Sequence, residues 1–236
     1  MTPRLPAPSG VVFDLDGTLV DTVEARIGGW LEALEAAGYS TTREAVAAMI
    51  GMDGRRLARL VAEAAGRPID AERAEEIDRA SGAAFDRRNR VPRPLPGVAP
   101  LVAALDARAI PWAIATSSRP EQVEGSVAAL DLPRDPLIVD GSHVEHAKPA
   151  PDLLWLSADR LGVNRARCWY VGDSTWDMRA AVAAGMPGVA VTAGAAVGRE
   201  ALAEAGAVVV VETLDELLSW LPPLPGAPPI DRPVRR

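Results

Sequence analysis

Short apolar runs alternate with helix-periodic segments along this chain, and that alternation limits its architecture more than any other feature. Six runs recur, at 10–16, 111–117, 137–140, 168–172, 188–192 and 207–212. Between most of them lie segments with apolar residues at helical spacing, at 97–109, 119–130, 150–162, 176–185 and 196–205. A strand buried on both faces reads as an unbroken apolar run, and strands that alternate with helices pair in parallel. The expected fold is therefore α/β, with a doubly wound parallel sheet.

The alternation breaks once. From about Asp21 to Pro92 the sequence offers only helix-like material. Ile27, Trp30, Leu31 and Leu34 fit one helical face, and Leu57, Leu60, Val61 and Ala64 fit another. The stretch from Asp70 to Asn89 is strongly charged, with Ile77 and Phe85 among its few large apolar residues. This block, 22–92, reads as a small helical bundle inserted after the first strand, leaving 1–21 and 93–221 as the main domain. Pro92-Arg93-Pro94-Leu95-Pro96-Gly97 supplies a hinge, because proline stiffens and glycine redirects the chain. The proline-rich tail, 222–236, is expected to hold little regular structure.

The first run ends in Asp14-Leu15-Asp16-Gly17-Thr18, so a buried strand delivers two carboxylates to its C-terminal end. Ligands of open α/β sheets bind at that edge. Carboxylates so close repel and shift each other's pKa, which points to a bound cation or to acid–base chemistry. Taken alone, the pair reads equally as aspartates that cap a turn. Gly17 lets the chain turn away, so that Asp16 can reach another side of a shared site.

Three further features sit just past expected strands. Thr116-Ser117-Ser118 offers hydroxyls and backbone N–H groups suited to an anion, although a helix N-cap would look the same. Lys148-Pro149 sets an ammonium near the start of a helix; a surface lysine is the plainer alternative. Gly172-Asp173-Ser174-Thr175-Trp176-Asp177 offers two acids four residues apart, on one face of a first helical turn if the helix starts at once. Such acids suit the helix dipole or a hard cation such as magnesium. Together these features make the parts list of phosphoryl transfer with a carboxylate nucleophile.

Composition narrows the partners. A net charge of −7 and a pI near 5.0 argue against nucleic acid, whose backbone wants a basic face. No apolar run approaches the length of a membrane span. The single cysteine, Cys168, lies in an apolar stretch and reads as a buried core thiol, which excludes a disulfide framework. The N-terminus Met1-Thr2-Pro3-Arg4-Leu5-Pro6-Ala7-Pro8 lacks the apolar core of a signal peptide, so the expected setting is the cytoplasm. His143 and His146 read as loop residues rather than zinc ligands.

With these residues in place, the chain resembles the haloacid dehalogenase superfamily. Asp14-Leu15-Asp16-Gly17-Thr18 is similar to its first motif, Thr116 to the second, Lys148 to the third, and Gly172-Asp173-Ser174 with Asp177 to the fourth. The block at 22–92 resembles the family's helical cap, and Ile50-Gly51-Met52-Asp53-Gly54 resembles the substrate-facing cap loop of its phosphoglycolate phosphatase-like branch. The resemblance implies a Rossmann-like core with an inserted α-helical cap and a magnesium-dependent phosphatase of a small phosphorylated metabolite. It implies Asp14 as nucleophile, Asp16 as acid and base, and Lys148 as charge-neutralising group. Thr116 and its neighbour Ser117 would hold phosphate oxygens, with Gly51 and Arg55 facing the substrate. Mg2+ would sit on Asp14, the Asp16 carbonyl oxygen and Asp173, with Asp177 in support. Dehalogenating members lack the second acid of Asp-x-Asp, so Asp16 favours phosphatase. The β-phosphoglucomutase-like branch carries a histidine near the position of Arg26, so the mutase alternative lacks its assisting group here. A binding module without turnover is the remaining alternative, and the intact acids and Lys148 speak against it.

Overall fold

A computed structural model describes residues 5–225, and the end of the proline-rich tail, 226–236, lies outside them. Strand β1 (Gly10–Phe13) leads into four helices: α1 (Val23–Ala36), α2 (Arg43–Ala47), α3 (Gly54–Ala64) and α4 (Ala71–Arg88). The chain then alternates through α5 (Val98–Asp106), β2 (Trp112–Ala115), α6 (Pro120–Ala128), β3 (Leu137–Val139) and α7 (Asp152–Leu161). It continues with β4 (Cys168–Gly172), α8 (Thr175–Ala184), β5 (Gly188–Val191), α9 (Arg199–Glu204) and β6 (Val209–Val211). The six strands form one sheet in the order β3-β2-β1-β4-β5-β6, and every neighbouring pair is parallel. The expected α/β doubly wound sheet is thus present. Its order reverses beside β1, which puts the C-terminal ends of β1, β2 and β4 around a common crevice.

The two-residue period of a strand builds the two faces of the core. Val11 and Phe13 of β1, with Trp169 and Val171 of β4, pack under Leu101, Val102 and Leu105 of α5. The intervening Val12, Cys168 and Tyr170 meet Leu153 and Leu154 of α7 and Ala180 and Ala181 of α8. Burial of each large aliphatic side chain contributes about 1.5–3 kcal/mol. Cys168 is fully enclosed, and burial pushes its thiol up to about 12, as suits an inert core residue.

The helices α1–α4 carry a hydrophobic cluster of their own, centred on Ile27, Trp30, Leu34, Leu57, Val61 and Ile77. On α3 the buried face differs from the expected one. Leu57, Ala58, Val61 and Ala62 are inside, whereas Leu60 and Ala64 face solvent. The small side chains Ala58 and Ala62 are buried members of this helical cluster and take the places that hydrophobicity alone gave to Leu60 and Ala64. The segments entering and leaving the block are paired. Asp21 N–H donates to the Arg93 carbonyl at 2.9 Å and Leu95 N–H to the Leu19 carbonyl at 2.9 Å. The block also touches the sheet edge through Trp176, whose indole N–H donates to the Ala48 carbonyl at 3.0 Å. Among the described residues, no helix is long and apolar enough to cross a membrane.

Candidate active site

Asp14 follows β1 and is buried where β1 and β4 end, its N–H bonded to the Val171 carbonyl at 2.8 Å. Lys148 comes from the loop before α7 and is 1% exposed. Its Nζ lies 2.5 Å from Asp14 Oδ1 and 2.8 Å from Asp177 Oδ1. Asp173, directly after β4, completes a buried group in which carboxylate oxygens of Asp14, Asp173 and Asp177 lie within 4.8 Å of one another. Thr18 Oγ1 donates to Asp173 Oδ1 at 2.9 Å. Gly17 permits this convergence: its φ is +82°, and a Cβ there would fall on the Asp173 carboxylate.

The helix α8 starts later than the motif alone allowed. Ser174 is its N-cap and Asp177 its third residue, so Asp173 stands before the helix rather than within its first turn. Ser174 and Asp177 form a reciprocal cap, with Ser174 N–H donating to Asp177 Oδ2 at 3.0 Å and Asp177 N–H to Ser174 Oγ at 3.1 Å. Asp177 Oδ1 also accepts from the buried Tyr170 hydroxyl at 2.7 Å. Both Asp177 oxygens are therefore occupied by protein donors, which makes this residue an anchor for Lys148 and α8.

The electrostatics follow from burial. Burial raises the Asp14 carboxyl to about 7, Lys148 opposing the shift and Asp177 adding to it. Asp173 is pushed well above the usual carboxylate range by burial and then by the charges of Asp177 and Asp14. Burial works against the charge on Lys148, but Asp14 and Asp177 outweigh it and keep the ammonium protonated. One ammonium thus serves three carboxylates, and the surplus negative charge calls for a cation. The donor set is all oxygen, the chemistry of a hard divalent ion.

Asp16 points to another side of the crevice. Its carboxylate accepts from Thr22 Oγ1 at 2.7 Å, Ser118 Oγ at 2.6 Å and Arg26 Nη2 at 2.8 Å. Burial pushes its carboxyl up, yet the Arg26 charge and these hydrogen bonds prevail and hold it below the usual range. Arg26 also donates to Gln122 Oε1 at 3.0 Å and lies 3.8 Å over the Phe85 ring. Ser118 and Thr18 stand in the motif stretches but receive no role of their own from the sequence, and Thr22 is not singled out there. Thr18 and Thr22 both follow Asp-x-Asp closely in the chain, which is the one local signal for them.

Above these groups lies a cavity of about 460 Å³, lined by Thr116, Ser117, Gly51, Arg55, Lys148 and Asp173 among others. Thr116 Oγ1 accepts from the Ser118 N–H at 3.1 Å, and Ser117 Oγ is buried without a partner among the described residues. Gly51 contributes backbone only. Its φ is +97°, and a Cβ there would fall on Ser174 Oγ, so glycine lets the loop rest on the start of α8. Arg55 reaches the cavity already paired with Asp53 at 2.9 Å. The crevice brings together Asp14, Asp16, Thr116, Ser117, Lys148 and Asp173 at its base and Gly51 and Arg55 at its roof. Asp177 stands behind the base.

Comparison with known proteins identifies the chain's family and relatives. Residues 11–191 match the family described as haloacid dehalogenase-like hydrolase. The chain is 35% identical to a phosphoglycolate phosphatase of Shigella boydii serotype 4 (strain Sb227) over 90% of this chain and 92% of that one. It is 32% identical to the fructose-1-phosphate phosphatase YqaB of Escherichia coli (strain K12) over 77% of this chain and 95% of that one. A solved hydrolase of Pseudomonas syringae superposes with a TM-score of 0.84 at 32% identity, covering 89% of this chain and 96% of the other.

Proposed function

The chain belongs to the haloacid dehalogenase-like hydrolases and is a phosphatase of that family, and we propose that it hydrolyses a small phosphomonoester with Mg2+, passing the phosphoryl group through Asp14. The carrying observation is the charge balance of the crevice. Among the described residues, Asp14, Asp16, Asp173 and Asp177 face only Lys148 and Arg26, a deficit that one divalent cation offsets. Asp14 and Asp173, with the Asp16 carbonyl oxygen, would hold the ion, and Asp177 supports them through Lys148. Bound there, magnesium supplies positive charge at the phosphoryl oxygens and lets a carboxylate approach an anionic ester.

The chain's own residues do the rest. The Asp14 carboxylate attacks phosphorus and the bond to the leaving alkoxide breaks, giving an aspartyl-phosphate. Asp16 gives the alkoxide its proton. It then takes a proton from the water that attacks phosphorus, which frees phosphate and restores Asp14. Thr116 and Ser117 donate hydroxyl hydrogen bonds to the phosphoryl oxygens, and Lys148 screens their charge. The helices of 22–92 serve as a cap that limits the access of bulk water. Arg26 stays charged and cannot accept a proton, so water rather than a sugar hydroxyl is the acceptor. A cytoplasmic setting suits the single, buried Cys168 thiol. Phosphate release from an aryl phosphate, abolished by chelation and restored by magnesium, tests this reading. Full activity in chelator would overturn it.

A further inference from the structure

The cavity roof is over-supplied with negative charge. Among the described residues, eight carboxylates and four cations line the cavity. Lys148 and Arg26 are committed to the base, through Asp14, Asp177 and Asp16. Away from the base, Asp53, Glu75, Asp78, Glu121 and Glu145 share the cavity wall with Arg55 and Arg119 among the described residues, and Glu75 also pairs with Arg79 at 2.8 Å, which still leaves more carboxylates than cations. Neither arginine is free. Arg55 pairs with Asp53 at 2.9 Å, and Arg119 pairs with Asp78 and, at 3.0 Å, with Glu75.

We propose that Asp78 and Glu75, with Arg119 between them, determine specificity by admitting a phosphomonoester whose leaving group carries hydroxyls and no second negative charge. The inference rests on the phosphatase reading and deepens it. A second anion on the leaving group would have to take Arg119 or Arg55 from its carboxylate partner and strand that carboxylate in the cavity. Like charges forced together in this way are strongly disfavoured. A hydroxyl meets no such obstacle, because a carboxylate accepts hydrogen bonds on both oxygens. Asp78 Oδ2 takes Arg119, while Asp78 Oδ1 has no hydrogen-bond partner among the described residues. Burial, with Asp53 and Glu75 adding to it, raises the Asp78 carboxyl above its ordinary range in spite of Arg119. The roof is thus built to receive hydrogen-bond donors.

The test compares two esters of nearly equal shape, 2-hydroxyethyl phosphate and 2-phosphoglycolate, which differ in a hydroxymethyl against a carboxylate. Their kcat/KM values are measured on one preparation with magnesium, beside an aryl phosphate. The ratio should favour the neutral ester by about tenfold or more. Asp78→Asn keeps the shape, removes a charge and loosens Arg119, so it should lower that ratio by about tenfold. Any loss common to both esters cancels in the ratio. Glu75→Gln, which should move the ratio the same way, serves if the first variant does not fold. A wild-type preference for 2-phosphoglycolate, or a ratio unmoved in the folded variants, would overturn the charge filter while aryl phosphate hydrolysis left the phosphatase reading standing. No phosphate from any of the three compounds would overturn both.

Discussion

Arg26 Nη2 lies 2.8 Å from Asp16 Oδ2, so a cation on the first helix of the inserted block holds the carboxylate of a loop in the crevice at the sheet's C-terminal edge. Against the opposing effect of burial, that charge keeps the Asp16 carboxyl below its ordinary range. An acid held ionised is a poor proton donor to an alkoxide. Arg26→Gln retains a donor and removes the charge, so the Asp16 pKa should rise. The alkaline limb of alkyl phosphate cleavage should then move to higher pH in single turnovers. Cleavage of an aryl phosphate, whose leaving group needs no proton, should keep its profile. Identical limbs in variant and wild type would detach Arg26 from Asp16 chemistry.

Asp14→Asn should lower turnover by about 10³-fold or more, the scale for a lost nucleophile. Lys148 keeps Asp177 at 2.8 Å as a counter-ion, so the variant should fold with an unchanged far-ultraviolet spectrum. Near wild-type turnover would remove Asp14 from the centre of the reaction.

The magnesium effect on stability should depend on pH with a definite sign. Burial raises Asp14 to about 7 and pushes Asp173 up as well. A carboxyl raised in the folded state contributes stability below its unfolded pKa, and that contribution is lost as pH rises through the folded value. The metal-free protein therefore bears a growing penalty from Asp14 between about pH 4 and about pH 7, and Asp173 adds to it in the same direction. A cation that binds the ionised carboxylates relieves it. The rise in Tm on adding magnesium should grow across that range. A rise that is constant or shrinks with pH would contradict the assignment of Asp14 and Asp173 as ligands.

Gly17→Ala should damage both backbone and site. A φ of +82° disfavours alanine by about 1–2 kcal/mol, and the added methyl displaces the Asp173 carboxylate. Denaturant titration should show that loss, and calorimetry should show weakened magnesium binding. Normal metal affinity in a destabilised variant would separate the turn from the metal site.

The sheet was legible because fully buried parallel strands leave unbroken apolar runs, and each run from Gly10 to Glu212 holds one observed strand. The acids at strand ends were legible because strand and turn are local, so Asp14, Asp16 and Asp173 follow directly from β1 and β4. What was not legible depends on docking. Arg26 meets Ser118 across 92 residues, Asp16 meets Ser118 across 102, and Arg119 meets Glu75 across 44. No periodicity encodes such pairs. The exposed Leu60 and the late start of α8 have causes that hydrophobic pattern misses, the burial of Ala58 and Ala62 in the helical cluster and a Ser174 cap.

The most direct test of the account asks where the phosphoryl group resides during turnover. The enzyme is mixed with an aryl phosphate and magnesium, quenched in acid within the first turnover, digested and weighed by mass spectrometry. The account predicts a phosphoryl adduct on the peptide that contains Asp14, absent from Asp14→Asn and without magnesium. Phosphate release with no adduct, or an adduct on another residue, would contradict it.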